Sequence, residues 1–201
     1  MKKTWLIAVA AAAFIPAVQA QDTGSWIVRT RAVNLDSANK DSTGLGLTIN
    51  NKVIPELDIT YFFSPNLAAE LILTYPQKQT VYSKGTEIGS FKHLPPTLNF
   101  QYHVTGLGGF RPYFGAGVNY TNITAVEFAP AVVTALHPGL KHNSFGLSVQ
   151  AGADMPIGGG WLLNVDVKKV QIATTVYSSG ASAGKFKVDP TLFGLGVGKR
   201  F

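Results

Sequence analysis

The sequence predicts an all-β fold, an eight-stranded antiparallel transmembrane β-barrel, from three observations. Apolar and polar residues alternate over segments of about ten residues, which is the side-chain period of a β-strand. One face of each segment is unbroken in its apolar character and the other is hydrophilic, as expected between lipid and a polar interior. The connections between segments alternate between long and short, as in bacterial outer-membrane barrels. The alternative fold is a secreted β-sandwich.

Composition agrees with an exported membrane protein. The chain has 201 residues, a formal net charge of +6 and no cysteine, which excludes a disulfide framework and thiolate metal sites. Hydrophobic residues make up 46% of the sequence and charged residues only 14%. No apolar stretch after residue 20 reaches the roughly 20 residues that a membrane helix requires.

The first 20 residues are predicted to be a secretory signal peptide. Lys2 and Lys3 precede an apolar run from Trp5 to Val18, and small residues surround the expected cleavage site after Ala20. The run of about 14 residues is too short to span a bilayer. Residues 21–201 are then predicted to form one barrel domain.

The first predicted strand, 25–35, decides which face is the interior. Arg29 and Arg31 lie at alternate positions, and two arginines on one face cannot point into hydrocarbon. The same alternation predicts seven further strands, at 53–63, 67–75, 93–104, 111–121, 144–154, 161–172 and 192–201.

The connections follow from turn residues. Short turns are predicted at three places: Ser64-Pro65-Asn66 and the glycine-rich segments 105–109 and 156–160. The long connections are predicted to be loops, at 36–52, 76–92, 122–143 and 178–184. A short helix is predicted within the third of these loops, at Glu127–Leu136. Both ends of the barrel then lie at the periplasmic side. Lipid-facing aromatic residues mark the two rims: Trp26, Phe63, Tyr102, Trp161 and Phe201 on the periplasmic side, and Tyr75 and Tyr120 on the outer side.

The periplasmic half of the interior is predicted to hold a plug of charged side chains. An eight-stranded barrel is only about wide enough for side chains to fill, so these charges must pair or be hydrated. Two interpretations stay open, a structural ion-pair plug and a proton or ion relay. The predicted plug consists of Arg29, Arg31, Glu56, Asp58, Glu70, Arg111, Asp154, Asp166 and Arg200, with Lys168 slightly above.

The outer half of the interior is predicted to be apolar. One explanation is a packed minor core, and the other is a vestibule open to the exterior and closed below by the plug. A vestibule of this composition favours apolar ligands. The predicted lining residues are Val33, Leu35, Ile54, Ile72, Pro95, Val170, Ile172, Val188, Pro190 and Leu192.

Three motifs resemble the OmpW family over nearly the whole mature chain. They are 93–98 (HLPPTL), 110–121 (FRPYFGAGVNYT) and Asp189-Pro190 together with the terminal Lys199-Arg200-Phe201. The resemblance implies an outer-membrane barrel related to AlkL-type importers, in which small hydrophobic molecules enter an apolar channel and leave sideways into the membrane.

The resemblance also implies a constriction, which this sequence alters. Relatives have an aliphatic residue matching Ile72 and a tryptophan matching Lys168; many also have tryptophan at Thr191. Lys168 is expected to pair with Glu56 or Asp166, or to extend its stem toward solvent. Pro55 and Pro76 each lack a backbone donor, and two interpretations of them stay open: a gap in the barrel wall, or a simple bend or strand end.

Other chemistry is not indicated. The four histidines, His93, His103, His137 and His142, are not accompanied by a nucleophile motif, and the sequence contains no metal cluster or phosphate loop. No enzyme activity, metal, cofactor or nucleic-acid partner is therefore expected. The external lysines could contact anionic lipopolysaccharide or simply be solvated: Lys40, Lys52, Lys78, Lys84, Lys92, Lys141, Lys185 and Lys187.

The sequence therefore predicts a passive outer-membrane conduit for small hydrophobic molecules. The alternative is a structural or surface-interaction barrel with a filled lumen and loop-mediated binding. Substrate and oligomeric state stay open.

Overall fold

The computed structural model describes residues 25–201, so the predicted signal peptide lies outside the described residues. The order of the elements is β1 (Trp26–Asp36), β2 (Lys40–Asp41), β3 (Leu47–Ile49), β4 (Lys52–Phe62), β5 (Leu67–Leu73), β6 (Gln77–Ser83), β7 (Thr86–Leu94), β8 (Thr97–His103), β9 (Arg111–Phe128), α1 (Pro130–Leu136), β10 (Pro138–Leu140), β11 (Asn143–Gly158), β12 (Trp161–Val170), β13 (Ala173–Ser178), β14 (Ala181–Lys187) and β15 (Thr191–Arg200). No helix in residues 25–201 is long and apolar enough to cross a membrane.

Eight of the strands close an antiparallel barrel, which confirms the predicted fold. Going around the wall, the order is β1, β4, β5, β8, β9, β11, β12 and β15. The last strand pairs with the first from Ile27↔Arg200 to Asp36↔Thr191, so the wall has no free edge. Each barrel strand corresponds to one predicted segment, although β9 continues outward to Phe128.

Along each barrel strand, inward-facing and outward-facing side chains alternate, in the orientation that Arg29 and Arg31 of β1 require. In β12, Asn164, Asp166 and Lys168 are buried in the interior, whereas Val165 and Val167 are about 40% exposed on the outside. Ala153 has outward parity but is only 5% exposed, because it is small and lies between Pro112 and Val165 on the adjacent strands.

Glycine residues of β15 make room for the arginines of β1. A Cβ atom at Gly198 would lie 2.7 Å from Cγ of Arg29, and one at Gly196 would lie 2.8 Å from Cγ of Arg31. A larger side chain at either position would displace the buried cation. The glycine-rich face of β15 is therefore a packing requirement of the charged interior.

The predicted long loops were wrong in one respect, because they contain strands. β6 and β7 form a hairpin that pairs with the outer part of β9, and β3 pairs with β6. A second sheet, in the order β10, β13, β14 and β2, lies in the same extracellular region. α1 falls within the predicted segment 127–136 and begins at Pro130, where the missing N–H is tolerated. The barrel is thus extended outward by ordered β-structure.

Candidate functional site

Arg29 anchors the periplasmic half of the interior. Its guanidinium binds Asp154 in a two-pronged contact, with Nε donating to Oδ1 at 3.0 Å and Nη2 donating to Oδ2 at 2.6 Å. Its Nη1 donates to Asp58 at 2.7 Å and to the Thr60 hydroxyl at 2.7 Å. Because Asp58 lies on β4 and Asp154 on β11, this one side chain on β1 ties distant parts of the wall together.

Arg31 and Lys168 continue the network outward. Arg31 lies 2.7 Å from Glu56 and 3.0 Å from Glu70, and its Nε donates to Asn164 at 2.7 Å. Lys168 lies 2.8 Å from Glu56 and 2.9 Å from Asp166, so both of the pairings considered for it are present. All three cations are at most 3% exposed. The lumen at this level is filled with paired charges.

Two predicted plug residues lie apart, at the periplasmic end. Arg111 and Arg200 are half-buried and border a small cavity together with Phe62 and His103. The Arg200 guanidinium carbon lies 4.4 Å from the centre of the Phe62 ring. Together with Arg29, Arg31 and Lys168, these two arginines equal in number the five interior carboxylates. Their own charges lie at the periplasmic mouth of the barrel.

Above the network, most of the predicted lining residues pack against one another. They form a single buried cluster with apolar residues of the extracellular strands. Pro190 is buried as well, Pro95 is half-buried at the rim, and Ile72 is 5% exposed at the level of Asp58. The seven predicted residues in the cluster are Val33, Leu35, Ile54, Val170, Ile172, Val188 and Leu192.

An apolar cavity lies among the extracellular strands, bordered by cluster members such as Leu47, Phe91 and Phe186. Its volume is about 50 Å³, and none of the ten predicted lining residues borders it. The sequence did not reveal it because most of its walls come from segments predicted as loops. The lining includes Leu45, Leu47, Val81, Ile88, Phe91, Val132, Leu136, Leu140, Val176 and Phe186.

The barrel wall is interrupted between β4 and β5. Strand pairing ends outward at Leu57↔Leu73, and the next contact is the Thr74 hydroxyl donating to the Pro55 carbonyl at 2.8 Å. In an antiparallel strand the N–H and C=O of one residue point to the same neighbouring strand. Because the Pro55 carbonyl faces β5, the N–H that proline lacks is missing on the β5 side as well. Pro76 lies just beyond β5, outside any strand.

An open pocket of about 590 Å³ occupies this interruption. Arg31 and Glu56 from the interior border it, and so do Leu57 and Tyr75 from the lipid-facing side. The pocket opens toward the membrane, and the buried side chains of Arg31 and Glu56 lie behind it. We call this pocket the wall gap.

Cross-strand lysine pairs mark the extracellular surface. Lys78 is opposite Lys92 in the β6–β7 hairpin, and Lys40 is opposite Lys187 where β2 meets β14. Lys52 lies beside the first pair and donates to the Lys78 carbonyl at 3.1 Å. Directly opposed like charges are destabilising in a sheet. These pairs concentrate positive charge at the extracellular surface.

The histidines do not belong to a metal-ligand cluster among residues 25–201. No group of three potential metal ligands occurs in this part of the chain. His103 bonds Gln101 at 2.9 Å and His142 bonds the Ile123 carbonyl at 2.8 Å, which are structural contacts.

Comparison with known proteins identifies this architecture. The sequence pattern that describes the OmpW family matches residues 22–201. The chain belongs to the OmpW family. It is 32% identical to outer membrane protein W of Vibrio cholerae, over 97% of each chain. It is 38% identical to an uncharacterized outer-membrane protein of Sinorhizobium fredii, over 88% of this chain and 80% of that one.

A solved structure supports the same assignment. The crystal structure of the outer membrane protein OprG from Pseudomonas aeruginosa matches this OmpW-family barrel with a TM-score of 0.76. The two chains are 27% identical, and the match covers 89% of this chain and 96% of that one. The protein is thus located in the bacterial outer membrane, where its apolar outer face meets lipid.

The ion network makes a prediction about stability. Lys168→Met leaves Asp166 and Glu56 short of a buried cation, so we expect the free energy of unfolding to fall by about 3–5 kcal/mol. Lys169→Met is the matched control: this neighbour faces outward and bonds Asp189 and Thr191 at the rim, so its loss costs less than about 1 kcal/mol.

Denaturant unfolding from lipid vesicles measures both variants. Adding Asp166→Asn to Lys168→Met removes the uncompensated charge and restores part of the loss. Equal effects of the two methionine variants would show that the Lys168 ion pairs contribute nothing to stability.

Proposed function

We propose that this barrel is a passive conduit for small hydrophobic molecules, with entry from outside and lateral exit into the membrane. One observation carries the proposal: an apolar cavity among the extracellular strands lies outward of a wall gap at Pro55, while paired charges fill the barrel below. A molecule that enters at the top therefore has a side exit but no axial one.

The ion network favours lateral exit on energetic grounds. An apolar molecule passing along the axis would have to separate Arg31 from Glu56 and Glu70, all of them buried. Breaking a buried ion pair costs about 3–5 kcal/mol. Leaving through the wall gap instead completes the transfer of the molecule's apolar surface from water to hydrocarbon, which is favourable overall.

The route between cavity and gap requires the apolar cluster to open. We propose that the ten residues predicted to line the vestibule border the path when their side chains repack. The constriction would lie where the cluster meets the network, at Ile72 and Lys168. Since Lys168 is bonded to Glu56 and Asp166, its ammonium is withdrawn from the path.

A relative supports the choice of cargo. A Pseudomonas aeruginosa protein named for its dibenzothiophene metabolism operon is 27% identical to this chain, over 72% of this chain and 69% of that one. Dibenzothiophene is an apolar aromatic compound of the kind that a conduit of this composition would accept. Transport rather than catalysis is proposed, and it requires no cofactor.

The conduit is tested in vesicles that carry lipopolysaccharide in the outer leaflet. We expect an apolar aldehyde to enter faster with the protein than without it, while a polar solute of similar size enters at the background rate. Entry of both at background would discard the conduit. The alternative would then stand, a structural or surface-interaction barrel with a filled lumen, which the close packing of the apolar cluster favours.

The side exit is tested by Pro55→Val. Valine supplies the missing N–H on the side that faces β5, so β4–β5 pairing can extend and narrow the wall gap. We expect slower uptake of the apolar aldehyde with an intact barrel. Pro112→Val is the control, since Pro112 is also an outward-facing barrel proline but lies at the periplasmic end of β9. Unchanged uptake in Pro55→Val would remove the wall gap from the path.

We also propose that the paired lysines contact lipopolysaccharide phosphates. Lys78, Lys92 and Lys52 lie just outward of the Tyr75 rim, and an anionic surface offers about 1 kcal/mol for each lysine near it. Two cross-strand cations that repel one another gain further from a phosphate between them.

Lys78→Gln combined with Lys92→Gln tests this contact. We expect the added thermal stability that lipopolysaccharide confers, relative to neutral phospholipid, to fall. Lys84→Gln combined with Lys141→Gln removes the same charge from hairpin and loop positions and serves as the control. An equal fall in both double variants would indicate a general charge effect and no specific contact.

A further inference from the structure

Three large polar side chains, two glutamines and a histidine, lie buried in the extracellular extension, whose core is mostly apolar. Gln77 and Gln79 are fully buried on the inward face of β6, and His93 is 1% exposed on β7. Gln77 is directly opposite His93, and Gln79 is opposite Phe91. We call Gln77, Gln79 and His93 the polar trio.

The trio has unused hydrogen-bonding capacity. Both amide atoms of Gln79, both ring nitrogens of His93 and Oε1 of Gln77 have no hydrogen-bond partner among residues 25–201. Polar groups buried in this way are normally paired, because an unpaired one loses the hydration that it had in water. The amides and rings of the periplasmic half are mostly paired, as in the Asn99–Gln150 bond at 2.7 Å. The trio is therefore a set of donors and acceptors suited to a ligand.

The position of the trio connects the two cavities. Along the inward face of β6, Val81 borders the apolar cavity and is followed by Gln79 and then Gln77. Gln77 donates through Nε2 to the Tyr75 carbonyl at 3.0 Å and to the Thr74 hydroxyl at 3.2 Å, and both of these residues border the wall gap.

The second strand of the hairpin follows the same course. Phe91 borders the cavity, and its ring centre lies 5.9 Å from that of His93. The polar trio thus lies on the inner surface between the entrance and the side exit.

We propose that the polar trio binds the hydroxyl group of small amphiphilic cargo, namely alcohols or phenols with an apolar body. This deepens the proposed conduit and rests on it. The trio offers both donors and acceptors, and a hydroxyl group can use both at once, whereas a hydrocarbon can use neither.

The charge around the trio favours a neutral headgroup. Within residues 25–201, none of its members is paired with a charged side chain, and the nearby Lys52 directs its ammonium to the Lys78 carbonyl at the surface. A carboxylate held at the trio would lack a buried counter-ion, which is unfavourable. The apolar body of the cargo would pack against the residues that line the apolar cavity, and the cavity of about 50 Å³ would have to widen to hold it.

The experiment compares 1-octanol with n-octane, two molecules of equal chain length. Entry is measured in vesicles with a lipopolysaccharide outer leaflet that contain the full barrel, each rate relative to protein-free vesicles. We expect Gln79→Leu to lower the octanol-to-octane ratio of rates about tenfold, the factor that roughly one to two hydrogen bonds supply. Octane entry should not fall.

Gln101→Leu is the matched control. Gln101 is also an inward-facing buried glutamine with an unpaired Nε2, but it lies in the periplasmic half beside His103. The same substitution there should leave the ratio unchanged. Folding of every variant is checked by the shift in gel mobility on heating that folded barrels show.

A second measurement does not depend on the variant folding. In the wild-type barrel, the side-chain amide NMR signals of Gln77 and Gln79 should shift on addition of 1-octanol and stay in place on addition of n-octane. Unmoved amide signals together with an unchanged octanol-to-octane ratio in Gln79→Leu would overturn the polar trio as a hydroxyl-binding site. Octane entry above background would, in that case, still support the conduit. Shifted signals without any protein-dependent entry would keep the binding site and discard the conduit.

Discussion

The pairing of buried charge inside a narrow closed wall is the constraint on which the rest of the structure depends. Arg29 and Arg31 must face inward because hydrocarbon cannot solvate them, and the lumen is too narrow for them to be hydrated freely. They bind carboxylates from β4, β5 and β11, and the glycines of β15 leave room for their stems. The same contacts that hold the wall together also close its axis.

A barrel closed along its axis can exchange molecules with the membrane only through its wall. Pro55 lies where β4–β5 pairing stops, beside the outer edge of the ion network, so the interruption in the wall and the obstruction in the lumen occur at neighbouring levels. The proposed lateral route follows from this coincidence. In that route the polar trio, on the β6–β7 hairpin, lies between the apolar cavity and the wall gap at β4 and β5.

The lysine at position 168, where the resemblance implies a tryptophan, is accommodated by the same network. A lysine would be a poor residue in an apolar path, but here Lys168 is the third buried cation of the network and pairs with Glu56 and Asp166. Its stem runs within the packed interior and its charge is neutralised by neighbours. Lys168 thus joins β12 to β4 through Glu56, and the constriction proposed at Ile72 and Lys168 lies where the apolar cluster meets these paired charges.

The sequence by itself determined the barrel, its strand count and the inward face of each strand, because alternation with period two and the cost of charge in lipid act locally along every segment. It also placed Arg29, Asp58 and their neighbours in one compartment. Only the tertiary structure decided that the long connections form ordered sheets, that the apolar cavity lies among them, and that Gln77, Gln79 and His93 meet beside the wall gap. Those features depend on contacts between segments far apart in the chain, such as β6 with β3 and β9 with β7, whose register no local pattern specifies.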